Sequence, residues 1–377
     1  MRFFHTADWQ IGRHYGQFDP DDAAVLAEAR LDAVATLAAR ATERGVDAIL
    51  VAGDVFDLQA VADRTVRRLF AALDGFVGPW VLISGNHDAA LADSVWTRAR
   101  RLGCIPPQAR VAERTGIVAL EALGAAVLAA PLTQRRTYDD ATAPFDTLDT
   151  PAGWLRIGLA HGSVAGRLPD SADLSNPIAA DRAQRARLDY LALGDWHGCL
   201  EIDARTWYAG TPEPDRFRGN APGAVLDVRL DAPGALPVVE RLEVGRFRWT
   251  ALAERIVVAA DVERVAARLA QAGANDVLQL AVSGAVNLDT WERLRAAVAA
   301  ASARVRSLRF DATGLDLQPD HADLAALGVS GYVVDVAHAL QALQEDPARG
   351  DIAREALRLL LQFEQEGVRA TGREARA

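Results

Sequence analysis

The sequence predicts a layered α/β (α+β) fold, with two sheets flanked by helices, then a small α/β domain and terminal helices. Three observations carry this. Apolar runs of strand length alternate with Ala- and Leu-rich helical runs from Arg2 to about Val164. Short strands follow between residues 188 and 230 with little helix between them, which suggests a second sheet packed on the first. After Leu252 the composition shifts and two helix–strand units appear.

Taken in order, Arg2–Asp8 (RFFHTAD) reads as a strand. Residues 21–45 form an Ala/Leu-rich helix closing on Gly45. Residues 47–54 (DAILVAGD) make a continuous apolar strand of the buried kind. A helix over 64–75, a strand over 79–86 and a helix over 94–103 follow. Strands are expected over 124–132 and 153–163, then a helical stretch around Ile178–Arg187. Residues 188–198 (LDYLALGDWHG), 205–217 and 224–230 supply the later strands and turns. Helices over 261–273 and 288–303 alternate with strands over 276–284 and 304–314. From Gly331 the pattern is helical. Val333, Val336, Leu340 and Leu343 form one stripe; Ile352, Ala356, Leu357, Leu359, Leu360, Leu361 and Phe363 form a wider one, with Pro347 and Gly350 between. The expected domains are 1–252, 253–330 and 331–377.

Composition narrows the classes. Two cysteines, Cys104 and Cys199, make no disulfide framework and suit a reducing compartment. The longest apolar run, Gly116–Leu132, is interrupted by Glu121 and too short to span a bilayer. With no leader-like segment at Met1, the reading is cytoplasmic and non-membrane. The net charge is −10, and every basic residue is arginine. Bulk charge therefore opposes nucleic-acid binding, although bound divalent ions would supply positive charge locally. The clusters Arg64, Arg67, Arg68 and Arg98, Arg100, Arg101 read as solvated helix faces.

The informative pattern lies where apolar strands end. The first strand ends in Asp8 and Gln10; the second in Asp54 and Asp57; the third in Asn86, His87 and Asp88. Later strands end in His161 and in Asp195 and His197. Gly53, Gly85, Gly162 and Gly194 stand beside them. A single Asp after a strand is an ordinary turn residue. Five such ends in order point to one edge, because ligands bind outside the carboxyl ends of open α/β sheets. Carboxylates, an amide oxygen and imidazoles without a thiolate suit two borderline-to-hard divalent ions. Such a pair acts on the attacking and leaving oxygens of a phosphate ester, with a bridging hydroxide as nucleophile. A histidine not bound to metal can protonate the leaving oxygen.

The motifs DWQ, GDVFD, GNHD, HGS and GDWH resemble those of the calcineurin-like metallophosphoesterases. The longer FHTADWQIGRHYG, VAGDVFD and WYAGTPEPDRF resemble the SbcD-type DNA repair exonucleases, which pair with an SbcC-type coiled-coil ATPase. The resemblance covers residues 1–252; beyond it is architectural, a small capping domain over 253–330 followed by helices. It implies a two-sheet core, and that Asp8, Gln10, Asp54 and His197 hold a first ion. Asp54 bridges to a second, held by Asn86, His161 and Asp195. It implies His87 as the acid, oriented by Asp57 or Asp88. The ions are manganese, with magnesium the alternative. Two positions depart from the pattern. Gln10 stands where a histidine is usual, giving a weaker ligand. Asp195 stands where the first histidine of a pair is usual, which hardens the second site. Arg13 and His14, just past the first motif, are candidates for substrate binding. DNA is the expected substrate. Residues 331–377 are the expected docking segment for an SbcC-like ATPase, and the resemblance also suggests a homodimer. His5 reads as a packed core histidine, and Tyr208 as part of a core-packed turn. The rival functions are a phosphatase or cyclic-nucleotide phosphodiesterase on the same core, and a catalytically weak scaffold.

Overall fold

The computed structural model describes residues 1–168, 175–318, 332–357, 359, 360 and 363. The chain divides into two units, Met1–Arg248 and Trp249–Ala377. The first unit runs β1 (Arg2–Thr6), α1 (Pro20–Arg44), β2 (Ala48–Ala52), α2 (Asp63–Ala72), β3 (Trp80–Ile83), α3 (Val95–Arg101), β4 (Ala109–Ala112), β5 (Gly116–Leu120), β6 (Ala125–Ala130), β7 (Leu155–His161), β8 (Ser163–Val164), β9 (Pro177–Ile178), α4 (Arg182–Arg185), β10 (Tyr190–Gly194), β11 (Leu200–Asp203), β12 (Thr206–Tyr208), β13 (Ala224–Arg229) and β14 (Val238–Glu243).

Two six-stranded sheets result, β14-β13-β1-β2-β3-β4 and β11-β12-β10-β7-β6-β5. In the first, β1 to β4 run parallel and β13 is antiparallel to β1. In the second, β6, β7, β10 and β12 run parallel. All five residues of β2 are buried, and their alternation makes the layers. Ile49 and Val51 face a cluster with Val34 and Leu37 of α1 and Leu69 of α2. Ala48, Leu50 and Ala52 face Val127, Ile157, Leu159 and Ala192 of the second sheet. Each large apolar side chain buried this way stabilises by about 1.5–3 kcal/mol. The second sheet's other face packs Leu128, Leu191 and Leu193 on Phe145, Ile178 and Leu188. Helix α1 begins with Pro20, carries Asp21 and Asp22 in its first turn and stops at Gly45 with φ +61°, the expected start and stop chemistry.

Some elements differ from the sequence reading. The helical stretch around Ile178–Arg187 is the two-residue strand β9 and the single turn α4. Arg182 there is buried and paired with Asp140 and Asp146, and Arg187 adopts φ +53°, which ends the turn. The short strands β4, β5, β11 and β14 have partly exposed, irregular patterns that apolar periodicity does not reveal.

The second unit contains β15 (Arg248–Ile256, straddling the boundary), α5 (Ala259–Ala270), β16 (Asp276–Val286), α6 (Leu288–Ser302) and β17 (Ser307–Leu317). They form a three-stranded sheet, β15-β16-β17. The boundary expected at 252 thus falls inside a strand. The one expected at 330 lies outside the described residues. Helix α7 (Tyr332–Leu343) and a helical stretch over 350–357 follow. Ala337 and Leu357 enter the same core as Leu280, Trp291, Leu294 and Leu315. The wide apolar stripe is therefore not all free: Leu357 is fully buried and Leu360 partly so, while Ile352, Leu359 and Phe363 are exposed. Leu361 lies outside the described residues.

Candidate metal centre

Because β1, β2 and β3 lie parallel side by side, their carboxyl ends share one edge. The parallel pair β7 and β10 brings the second sheet's ends to the same place: His161 Nδ1 donates to the Ala52 carbonyl at 2.8 Å. Small residues permit this approach. A Cβ on Gly194 would lie 2.0 Å from the Ala52 oxygen, and one on Gly85 would lie 2.2 Å from Asp54 Oδ1.

At this edge the backbone is contorted. Of the seven non-glycine residues with positive φ among those described, four are Asp8 (+55°), Gln10 (+50°), Asp54 (+51°) and Asp195 (+99°). Such conformations cost energy and concentrate at functional sites. Here they turn the side chains of consecutive strand ends into one cluster. With Nδ1–H committed to Ala52, His161 presents Nε2 to Asn86 Oδ1 at 3.2 Å, Asp54 Oδ1 at 3.6 Å and Asp195 Oδ1 at 3.7 Å. Asp8 Oδ1 accepts the Asp195 backbone N–H at 3.0 Å. Asp54 Oδ1 accepts the backbone N–H of His87, and its Oδ2 accepts Gln10 Nε2 at 2.7 Å. Ser163 Oγ donates to Asp195 Oδ2.

Negative charge accumulates at the cluster and shifts its own members. Burial lowers the His161 pKa, but Asp54, Asp195 and Asp8 together outweigh it and push the imidazole up to about 9. Burial, reinforced by Asp8 and Asp54, raises Asp195 to about 6 against the pull of His161, and burial also raises Asp8. Asp8 Oδ2 and Gln10 Oε1 are buried with no hydrogen-bond partner among the described residues. Unpaired buried oxygens are costly. Oxygen and imidazole donors around them fit a divalent cation. Ligand atoms of Asp8, Asp54 and His161 lie within 4.8 Å of one another, close enough to hold one ion.

The other expected residues separate into roles. His87 is part-exposed; its Nδ1–H donates to the Asp57 carbonyl at 2.7 Å, and its Nε2 lies 3.9 Å from Asp54 Oδ2. The Asp57 carbonyl, not its carboxylate, thus orients the ring; the carboxylate lies 3.3 Å from Arg13. Nor does the Asp88 carboxylate serve His87. It accepts the backbone N–H groups of Gly85, Val55 and Phe56, binding the second loop to the third, and burial pushes its pKa to about 7. Arg13 is engaged by Asp57 and Asp215 rather than presented to a substrate, and His14 is exposed. His197 turns Nδ1 to Asp215 Oδ2 at 2.9 Å. His5 is buried between the Tyr190 hydroxyl and the Leu193 carbonyl. Tyr208 is buried and donates to the Gly162 carbonyl.

Sequence reasoning missed Arg30, Ser163, Asp215 and Arg216. Arg30 is buried inside α1 and donates to the carbonyls of Asp8, Trp9 and Glu213 and to Thr211 Oγ1. Its signal was weak: one arginine on the otherwise apolar face of an Ala-rich helix.

Residues 1–170 match the calcineurin-like phosphoesterase family. Over 97 residues, 24% of this chain and 22% of the relative, the sequence is 42% identical to a Rhodobacter capsulatus protein named as a subunit of the nuclease SbcCD. Over 217 residues, 53% of this chain and 51% of the relative, it is 30% identical to the Aeropyrum pernix DNA double-strand break repair protein Mre11. The chain thus spans about a fifth and about half of these curated relatives. The crystal structure of TT1561 of Thermus thermophilus is similar at 14% identity and a TM-score of 0.41, covering 64% of this chain and 98% of that one. The family match takes in four of the five strand ends that meet at the centre, and on it the chain carries a calcineurin-like phosphoesterase domain.

Proposed function

We propose that this domain is a divalent-metal-dependent phosphodiesterase that cleaves DNA as an SbcD-type nuclease, using two metals. One observation carries the metal reading: buried, unpartnered oxygens on Asp8 and Gln10 within a cluster of carboxylates and imidazoles. The likeness to relatives named as a nuclease subunit and a double-strand break repair protein supports the DNA reading. Asp8, Gln10, Asp54 and His197 would hold one ion; Asp54, Asn86, His161 and Asp195 would hold the other. Oxygen donors predominate, which favours manganese or magnesium over softer ions. When bound, the ions would supply electrophilic charge at the phosphate and a more acidic water.

The chain's own groups do the rest. The Ala52 and Asp57 carbonyls fix the tautomers of His161 and His87, so both rings turn Nε2 toward the cluster side. His87 is part-exposed, its backbone N–H held by the Asp54 carboxylate and its Nδ1–H by the Asp57 carbonyl; with the ring doubly protonated, it is placed to give the Nε2 proton to a leaving oxygen. Ser163 and the Asp195 backbone N–H hold two carboxylates in place. The exposed face of Ile352, Leu359 and Phe363 is the surface on which an SbcC-like ATPase would dock, in a reducing, cytoplasmic setting. A homodimer belongs to the same reading.

The test is hydrolysis of bis-p-nitrophenyl phosphate and of a labelled duplex, with and without Mn2+. Wild type should cleave both only with metal. Asp54→Ala should lose metal and turnover, and His87→Ala should keep metal and lose about 10²–10⁴-fold in turnover. Cleavage of the small ester alone would remove DNA from the reading; cleavage of neither would remove the enzyme.

A further inference from the structure

We infer that Asp215 is a positioning residue that sets the tautomer of His197, so that Nε2 is the atom offered to a metal. The Asp215 side chain is 1% exposed, and its Oδ2 lies 2.9 Å from His197 Nδ1. A carboxylate only accepts, so Nδ1 carries the proton and Nε2 the lone pair. The rival donor is Arg216, whose Nη2 lies 2.9 Å from Nδ1 and 3.4 Å from Nε2. If Arg216 donated to Nδ1, two acceptors, Nδ1 and Oδ2, would face each other at 2.9 Å. Arg216 instead grips the carboxylate with both arms, Nε to Oδ1 and Nη2 to Oδ2, each at 3.0 Å. The charge-assisted Nδ1–H···Oδ2 bond wins that competition.

The carboxylate is itself immobilised. Arg13 Nη1 lies 3.4 Å from Oδ2. Arg30 donates to Thr211 and the Glu213 carbonyl on the loop leading to Asp215, and to the Asp8 and Trp9 carbonyls on the first strand end. One guanidinium therefore sets the loop of Asp215 against the loop of Asp8. A carboxylate behind a metal-binding imidazole fixes the ring and raises its basicity, and losing it typically costs about 10–100-fold in metal affinity. The consequence for metal rests on the reading of His197 as a ligand; the tautomer does not.

The experiment has two arms. Histidine-ring ¹H–¹⁵N spectra of the metal-free chain at about pH 8, above the ordinary imidazole pKa, should show His197 protonated at Nδ1. Mn2+ titration should show Asp215→Ala binding about 10–100-fold more weakly than wild type. Asp215→Asn, whose amide oxygen still accepts from Nδ1–H, should fall closer to wild type. An Nε2–H tautomer in wild type overturns the inference. So does wild-type Mn2+ affinity in a folded Asp215→Ala. Should Asp215→Ala fail to fold, with Arg216 left without the carboxylate it grips, the wild-type spectrum and Asp215→Asn still decide. A wild type that binds no Mn2+ sinks the phosphodiesterase proposal, while the ring spectrum continues to judge Asp215.

Discussion

His5 shows how far one side chain can be read. It sits inside β1, fully buried, and burial lowers its pKa to about 3 from an ordinary 6.5, against a small opposing effect of the Leu193 carbonyl. The folded state therefore binds fewer protons than the unfolded chain. Its contribution to stability is complete above pH 6.5 and is lost as pH falls from there toward 3, by about 1.4 kcal/mol per pH unit. Other buried groups, Asp88 and Asp195 among them, titrate with the opposite sign, so the slope belongs to a difference: the urea-unfolding free energy of wild type minus that of His5→Gln should fall by up to one proton's worth per pH unit between about pH 6.5 and pH 5; a difference independent of pH would exclude the assignment. The sequence reached His5, and equally Asp8, Asp54, Asn86 and His161, because each has a local signature, a polar residue in or just after an apolar strand. It did not reach Asp215 or Arg30, whose meaning comes from partners 18 and 183 positions away. Nor could it divide Asp57 and Asp88 by role. Whether a carboxylate or its own carbonyl faces His87 depends on backbone angles, not composition.

The layers of the first unit were legible because β2, β3, β6 and β10 are continuous apolar runs covered on both faces. The terminal helices were legible only as helices. Periodicity gives the width of an apolar stripe but not which part of it finds a neighbour. Leu357 buries itself beside Leu294 and Leu315, and Leu359 does not. Leu357→Ala should therefore destabilise the second unit by about 2–5 kcal/mol. Ile352→Ser and Leu359→Ser should change its unfolding by no more than about 0.5 kcal/mol. Equal losses at all three positions would show that the exposed face is not free in solution. Deleting 331–377 would open this core, so point substitutions on the exposed face are the cleaner probe of docking.

At the scale of the whole chain, no helix among the described residues is long and apolar enough to cross a membrane. Every residue of the metal centre lies in Met1–Arg248. A ligand stabilises only what it binds, so Mn2+ at about 100 times its Kd should stabilise that unit by about 2.7 kcal/mol. Calorimetry should show one transition rising with Mn2+ and the transition of Trp249–Ala377 standing still; both moving together would mean that the units unfold as one. The pairing of β1 with β13, Arg2 opposite Arg229, has a further consequence for biosynthesis. On the ribosome, β1 can dock on β2 early, but its other edge waits for a strand made more than two hundred residues later. At roughly 5–20 residues per second, that is on the order of ten to forty seconds with an open, apolar strand edge in the nascent chain. Chains released before residue 224 would never close it, which makes truncated products of this protein candidates for chaperone capture or aggregation.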